Sequence, residues 1–307
     1  MINELETRDV EVASTSKKAV RPGYVVISAV RDEEAYVHFT LECMIHQTLR
    51  PEEWIIVDDG STDRTGSIVD GYAMRYSWIR VVHRPNRGYR KAGGGVVDAF
   101  NDGYRELKTR DWDFVVKFDG DLTFEPDYFD RCLREFEREP QLGIGGGTIC
   151  YVINGTKQTE ENPAFHVRGA TKIYRRTCWD AIGGLWPAPG WDTADEVKAS
   201  RLGWTTRTFR DVHLIHHRRT STADGIWAGL VKDGRADYVC GYHPLFMLAK
   251  CAVRTVRKPY LVGSLALLYG FLSGYSKRIP QIDDRETIKY LRGQQINRLL
   301  GKETIWR

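Results

Sequence analysis

The chain has 307 residues, 42% of them apolar, with 45 Lys and Arg against 41 Asp and Glu for a net charge of +4. That length suits one large α/β domain, alone or with an appendage, and the apolar share excludes a disordered chain. A surplus of four charges, with no Arg-rich arm and no recognition motif, makes no case for nucleic acid as a partner. Six scattered cysteines lack CxxC and Cys/His zinc spacings, so they read as buried fillers of a reducing compartment.

Residues 1–20 are charged and lack the apolar core of a signal peptide, which predicts a mobile leader on a cytoplasmic protein. Regular structure is expected to begin with YVVISAV, a β-branched run from Tyr24 to Val30. Val37, Leu41, Met44 and Ile45 then recur at helical spacing until Pro51. WIIV from Trp54 is the second strand and RTGSIVDGYAMRY the second helix. IRVVH, GGVVDAFNDGYREL and WDFVVKF follow as strand, helix and strand. EPDYFDRCLREFERE is an amphipathic helix with Pro126 in its first turn, and LGIGGGTICYV a glycine-rich strand. The second half is less regular: a strand, a short helix, a Gly/Pro/Trp loop, a helix from about Thr193 to Leu202, and the strand VHLIHHRR.

Strands alternating with helices over the first 150 residues predict a Rossmann-like, mostly parallel sheet with helices on both faces. Ligands bind such sheets at the carboxyl ends of the strands. Asp58 and Asp59 stand at one such end and Asp119-Gly120-Asp121 at another. Two carboxylates one small residue apart can hold a hard divalent cation that also binds a diphosphate. Taken alone, each stretch also reads as a helix cap or an Asp-Gly turn.

The ordered set VISAVRDEE, IIVDDGSTDRT, NRGYRKAGGGVVDAFNDG and VVKFDGDLTFEPDYF resembles the family-2 glycosyltransferases, which share the GT-A nucleotide-diphospho-sugar fold. The resemblance runs from about Tyr24 to Arg219. VDDGSTDRT, DGD and Gly183-Gly184 match the family's pattern, whereas Asp32-Glu33 replaces its Asn-Glu. It implies that Ala29, Arg31 and Glu33 line a nucleoside pocket beside Asp58, which bonds the base or ribose. Asp59 and the Ser61-Thr62 turn shape the loop. Asp119 faces the ribose and sugar, Asp121 is the main ligand of Mn²⁺ or Mg²⁺, and His216 or His217 adds a metal or phosphate contact, with Arg218 and Arg219 on the diphosphate. Adjacent strand residues point to opposite faces, so one histidine at most faces the site. Gly93 to Gly95 would let a phosphate or sugar approach the backbone.

Inverting transfer needs a carboxylate that deprotonates the acceptor hydroxyl. GWDTADE offers Asp192, Asp195 and Glu196, with Trp191 where the family has Glu. Asp192 falls at the family's catalytic position and Asp195 is the alternative; both also suit the first turn of a helix. Trp186, Trp191 and Trp204 surround the expected acceptor side, as sugar platforms or as core.

These readings divide the chain into a GT-A domain over 21–223, with nucleotide-sugar (24–122) and acceptor (123–223) halves, and a helical tail over 224–307. Within the tail, Pro259 to Tyr275 is uncharged and apolar, flanked by Arg257-Lys258 and Lys277-Arg278. It is short for a span, which takes about 20 residues, so an interfacial helix, a buried hairpin and a span compete. The basic residues favour the inner face of the cell membrane. QINRL lacks the Trp of the processive synthases' QxxRW, which favours single additions. The expected activity is transfer of one sugar from a nucleotide-diphospho-sugar to a glycan or lipid-linked acceptor in cell-surface polysaccharide assembly. A sugar nucleotidyltransferase and an inactive scaffold are the alternatives, and the sequence leaves the oligomeric state open.

Overall fold

The computed structural model describes residues 22–89, 93–218, 225–256 and 258–306. The expected leader, Arg90 to Ala92, Arg219 and Arg257 lie outside them.

The first half alternates as expected: β1 (Tyr24–Val30), α1 (Val37–Ile45), β2 (Glu53–Asp58), α2 (Thr65–Arg75), β3 (Ile79–His83), α3 (Gly94–Arg105) and β4 (Phe114–Phe118). β5 (Leu122–Phe124), α4 (Tyr128–Arg138), β6 (Leu142–Ile153), β7 (Thr156–Thr159) and β8 (Thr171–Arg175) follow. Then come α5 (Arg176–Ile182), α6 (Trp191–Arg201) and the long β9 (Thr205–His216).

These strands form one sheet in the order β3-β2-β1-β4-β8-β6-β9-β5, with β7 paired to β6. β3, β2, β1 and β4 run parallel. Beyond β4 the sheet turns mixed: β8 is antiparallel to both β4 and β6, and β5 to β9, while β6 and β9 are parallel. The parallel half needs helical crossovers, which the sequence shows as alternating periodicity; antiparallel neighbours need none. β5 has three residues, too few to show a period.

Side chains alternate between two cores, as strand pleating dictates. Trp54 and Ile56 of β2 face the core under α1, α2 and α4, and Ile55 and Val57 face the one under α3, α5 and α6. The C-terminal region is helical: α7 (Ile226–Val239), α8 (Pro244–Arg254), α9 (Tyr260–Ser276) and α10 (Arg285–Leu299). Its own apolar cluster includes Ala194 and Val197 of α6, which ties the tail to the helix that carries Asp192.

Candidate active site

Parallel pairing of β1, β2 and β4 brings their carboxyl ends side by side, so Arg31, Asp58 and Asp119 come to one edge of the sheet. β9 reaches that edge from the other half. It lies antiparallel to β5, and its register sets His216 opposite Leu122, the residue after Asp121. Asp119, Asp121 and His216 thereby converge, with one ligand atom from each within 4.8 Å of the others.

His216 Nε2 lies 3.1 Å from Asp121 Oδ1, and Arg218 Nε donates to Asp121 Oδ2 at 3.1 Å. Arg218 also pairs with Glu33. Burial alone would push the Asp121 carboxyl up; the hydrogen bond and charge of His216, with Arg218, outweigh it and hold it below the usual carboxylate value. Gly120 sits where a Cβ would meet Val30 Cγ1 at 2.4 Å, so the DGD turn needs glycine for close approach to β1. His217 points away, stacked on Phe39 at 4.5 Å with Nε2 2.8 Å from Thr123 Oγ1.

Two carboxylates and an imidazole are a donor set suited to Mn²⁺ and, less closely, to Mg²⁺. The His216 Nδ1 atom is buried without a hydrogen-bond partner, so the proton belongs on Nε2, which faces the Asp121 carboxylate. These residues fit a divalent cation. Beside them a cleft of about 360 Å³ opens between His216-His217 and the β6–β7 turn.

At the ends of β1 and β2, Arg31 donates to Asp59 O at 3.1 Å and Asn86 Oδ1 at 3.0 Å. Ala29 is partly exposed beside Val57 of β2. Asp58 accepts from the Ser61 amide at 2.9 Å and lies 3.0 Å from His83 Nδ1. Asp59 is more than a turn former: Arg87 grips it bidentately at 2.7 and 2.5 Å, and Arg84 adds a third contact. Glu33 does not join this group. It is buried on the DGD side, held by Arg218 and with its amide donating to Thr65 Oγ1 at 2.7 Å.

Gly93 differs from expectation as well. Its φ is +71°, and the place of a Cβ is taken by Pro189 Cα at 2.7 Å. Protein backbone, rather than a ligand, makes the close approach.

The two candidate bases separate sharply. Asp195 is 4% exposed and turned inward: Lys172 Nζ donates to it at 2.7 and 3.0 Å, Tyr174 OH at 2.5 Å and the Glu196 amide at 2.7 Å. Burial pushes its carboxyl up to about 6. The expectation that Asp195 can reach an acceptor is not met, because its oxygens are committed inside the fold. Glu196 joins the same cluster, 2.8 Å from Lys172 Nζ and 2.9 Å from His166 Nδ1. Asp192, one turn earlier, is partly exposed. Burial would raise its carboxyl, but the charges of His166, Lys172 and Arg168 hold it below its ordinary value. Trp191 is no open platform: it is 7% exposed, with Lys117 and Lys172 at 5.5 and 5.6 Å from its ring.

Lys117, whose ammonium meets Asp119, escapes the sequence reading, as do Lys172 and His166. A lysine inside the apolar runs FVVKF and TKIY is the signal that could have found the first two, since a buried ammonium needs a carboxylate.

Residues 25–188 match glycosyl transferase family 2. EpsH of Bacillus subtilis (strain 168) is 30% identical over 187 residues, 55% of this chain and 52% of that protein. The uncharacterized glycosyltransferase EpsJ of the same organism is 33% identical over 121 residues, 39% of this chain and 32% of its own. The matches thus span about half and a third of those relatives' lengths. Among solved structures, the mannosyltransferase PcManGT from Pyrobaculum calidifontis, in complex with GDP-Man and Mn²⁺, superposes with a TM-score of 0.56 at 17% identity. The overlap covers 93% of this chain and 89% of that one. TarS 1-349 of S. aureus, in complex with UDP-GlcNAc, gives 0.53 at 17%, over 90% and 81%. The shared architecture is the GT-A fold.

Proposed function

Because the chain belongs to glycosyl transferase family 2, we propose that it is an inverting transferase that moves one sugar from a nucleotide-diphospho-sugar to an acceptor hydroxyl. The convergence of Asp119, Asp121 and His216 at the strand ends carries this reading. Those residues would hold Mn²⁺ or Mg²⁺, which when bound supplies positive charge to the departing diphosphate. Arg218, already at Asp121, supplies further positive charge with a bidentate fork. Ala29, Arg31 and Asp58 form the nucleoside side. Asp192, ionised among His166, Lys172 and Arg168, takes the acceptor proton. Asp195 and Glu196 position α6 through Lys172 rather than touching substrate. The acceptor is a glycan or lipid-linked glycan at a membrane surface. The relatives named above support the donor class: one was solved with GDP-Man and Mn²⁺, another with UDP-GlcNAc.

A thermal-shift panel of UDP, GDP, dTDP and CDP, each with and without Mn²⁺, tests the site. A ligand that binds only the folded state raises the midpoint by mass action. One diphosphate should stabilise the protein only with metal, and Asp121→Ala should abolish the shift. A metal-independent shift, or none with a folded sample, overturns the assignment.

A further inference from the structure

Beside the apolar side chains they bury, such as Leu267 and Phe271, the C-terminal helices also present apolar side chains outward. α9 turns Gly263, Ser264, Gly270 and Gly274 toward the protein and leaves Leu261, Val262, Leu265, Tyr269 and Leu272 more than half exposed. A helix on a water-facing surface does the reverse. The small inward residues let α9 touch α7 backbone to backbone: a Cβ on Gly270 would stand 2.1 Å from Val231 O, and one on Gly234 1.9 Å from Leu267 O. α8 and the turn after it add Leu245, Leu248, Val253 and Val256, each 53–76% exposed. No helix among the described residues is long and apolar enough to cross a membrane.

From Pro244 to Arg278 the sequence carries basic residues and no Asp or Glu. Lys250 is paired with Asp237 of α7 at 2.7 Å and Arg254 lies against Gly263, so Lys258, Lys277 and Arg278, at the two ends of α9, carry the exposed positive charge. A second copy seated face to face would bring two such cationic sets together, which opposes pairing. An anionic lipid surface neutralises them while the apolar side chains enter the acyl boundary and the tyrosines stay at headgroup level.

We propose that the outer face of α8 and α9 docks on an anionic leaflet as a monotopic anchor, without spanning it. The docking face belongs to the same packed body as the acceptor side. α9 lies on α7, and Cys240 at the end of α7 donates through Sγ to Gly190 O at 3.3 Å, directly before Trp191 and Asp192. Docking therefore fixes the acceptor side at a set height over the leaflet. That last step rests on the proposed role of Asp192; the docking itself does not.

Co-sedimentation of the full chain with vesicles tests it. One set is phosphatidylcholine, the other phosphatidylcholine with phosphatidylglycerol, at low and high salt. The chain should partition onto the phosphatidylglycerol vesicles and leave them at high salt. Leu261→Glu combined with Leu265→Glu should weaken that partitioning at least about tenfold, as expected from losing two buried leucines. In the same variant the nucleotide–Mn²⁺ thermal shift should persist, which separates failed docking from a failed donor site and reports folding. Three results overturn the proposal: no binding to either vesicle, unchanged binding of the double variant, or a wild-type dimer in solution that the double variant dissociates.

Discussion

Asp119 and Asp121 are matched with cations, and so are Asp195 and Glu196, but the two groups end differently. In the first, the carboxylates sit where strands stop, beside an imidazole nitrogen that has no partner. In the second, Lys172, Tyr174, His166 and backbone amides answer the carboxylate oxygens, and nothing is left for a ligand. Residue type does not distinguish them. A buried ionic cluster that is satisfied internally holds elements together; one that is left incomplete at a sheet edge can take a ligand.

Substitution of the carboxylates breaks or sharpens this contrast. Asp192→Asn should lower turnover by about 10²–10⁴ with the nucleotide–Mn²⁺ shift intact, as for loss of a general base. Asp195→Asn should instead lower the unfolding midpoint; a stable Asp195→Asn protein with a selective loss of turnover would exchange the two roles. Steady-state sugar transfer and urea unfolding read both.

Next in size is Lys172→Met. It leaves Asp195 and Glu196 without their buried cation and should cost about 3–5 kcal/mol in urea unfolding. A loss under about 1 kcal/mol would mean that the carboxylates are held by Tyr174, His166 and the amides alone.

Arg218→Met probes the open cluster. Arg218 and a bound cation compete for Asp121 Oδ2, so without nucleotide the variant should bind Mn²⁺ about three- to tenfold more tightly by titration calorimetry. Its affinity for a nucleoside diphosphate with Mn²⁺ should fall. Weaker Mn²⁺ binding would show that Arg218 orders the site instead.

The smallest effect belongs to His83. The hydrogen bond that its Nδ1 donates to Asp58, with Nε2 on Asp70, raises its pKa despite burial. A raised histidine contributes stability below its unfolded pKa, near 6.5, and loses it as pH rises through the folded value. His83 is about half exposed, so the contribution is under about 1 kcal/mol. His83→Gln should trail wild type below about pH 6.5, and the gap should close as pH rises through the folded pKa, by unfolding across that range.

Much of the site was legible because strand-end carboxylates and alternating periodicity are local signals. IIVDDGS and FDGD announce strand, turn and charge within a few residues. Glu33 was expected in a nucleoside pocket and Gly93 beside a ligand; their partners in the structure, Arg218 and Pro189, are 185 and 96 positions away and leave no local trace. Lys117 and Lys172 lie within apolar runs, and only their burial shows that each needs a carboxylate.

The sequence by itself determined the parallel half of the sheet, the position of the carboxylates at its edge and the apolar, basic character of the tail. All three rest on periodicity and composition over short windows. Only the tertiary structure decided which half of the sheet is mixed, that His216 meets Asp121 through the β5–β9 register, that Asp195 turns inward while Asp192 stays partly open, and which face of α9 looks out. Those outcomes depend on contacts between residues far apart in the chain, where burial and pairing select among choices that local chemistry leaves equal.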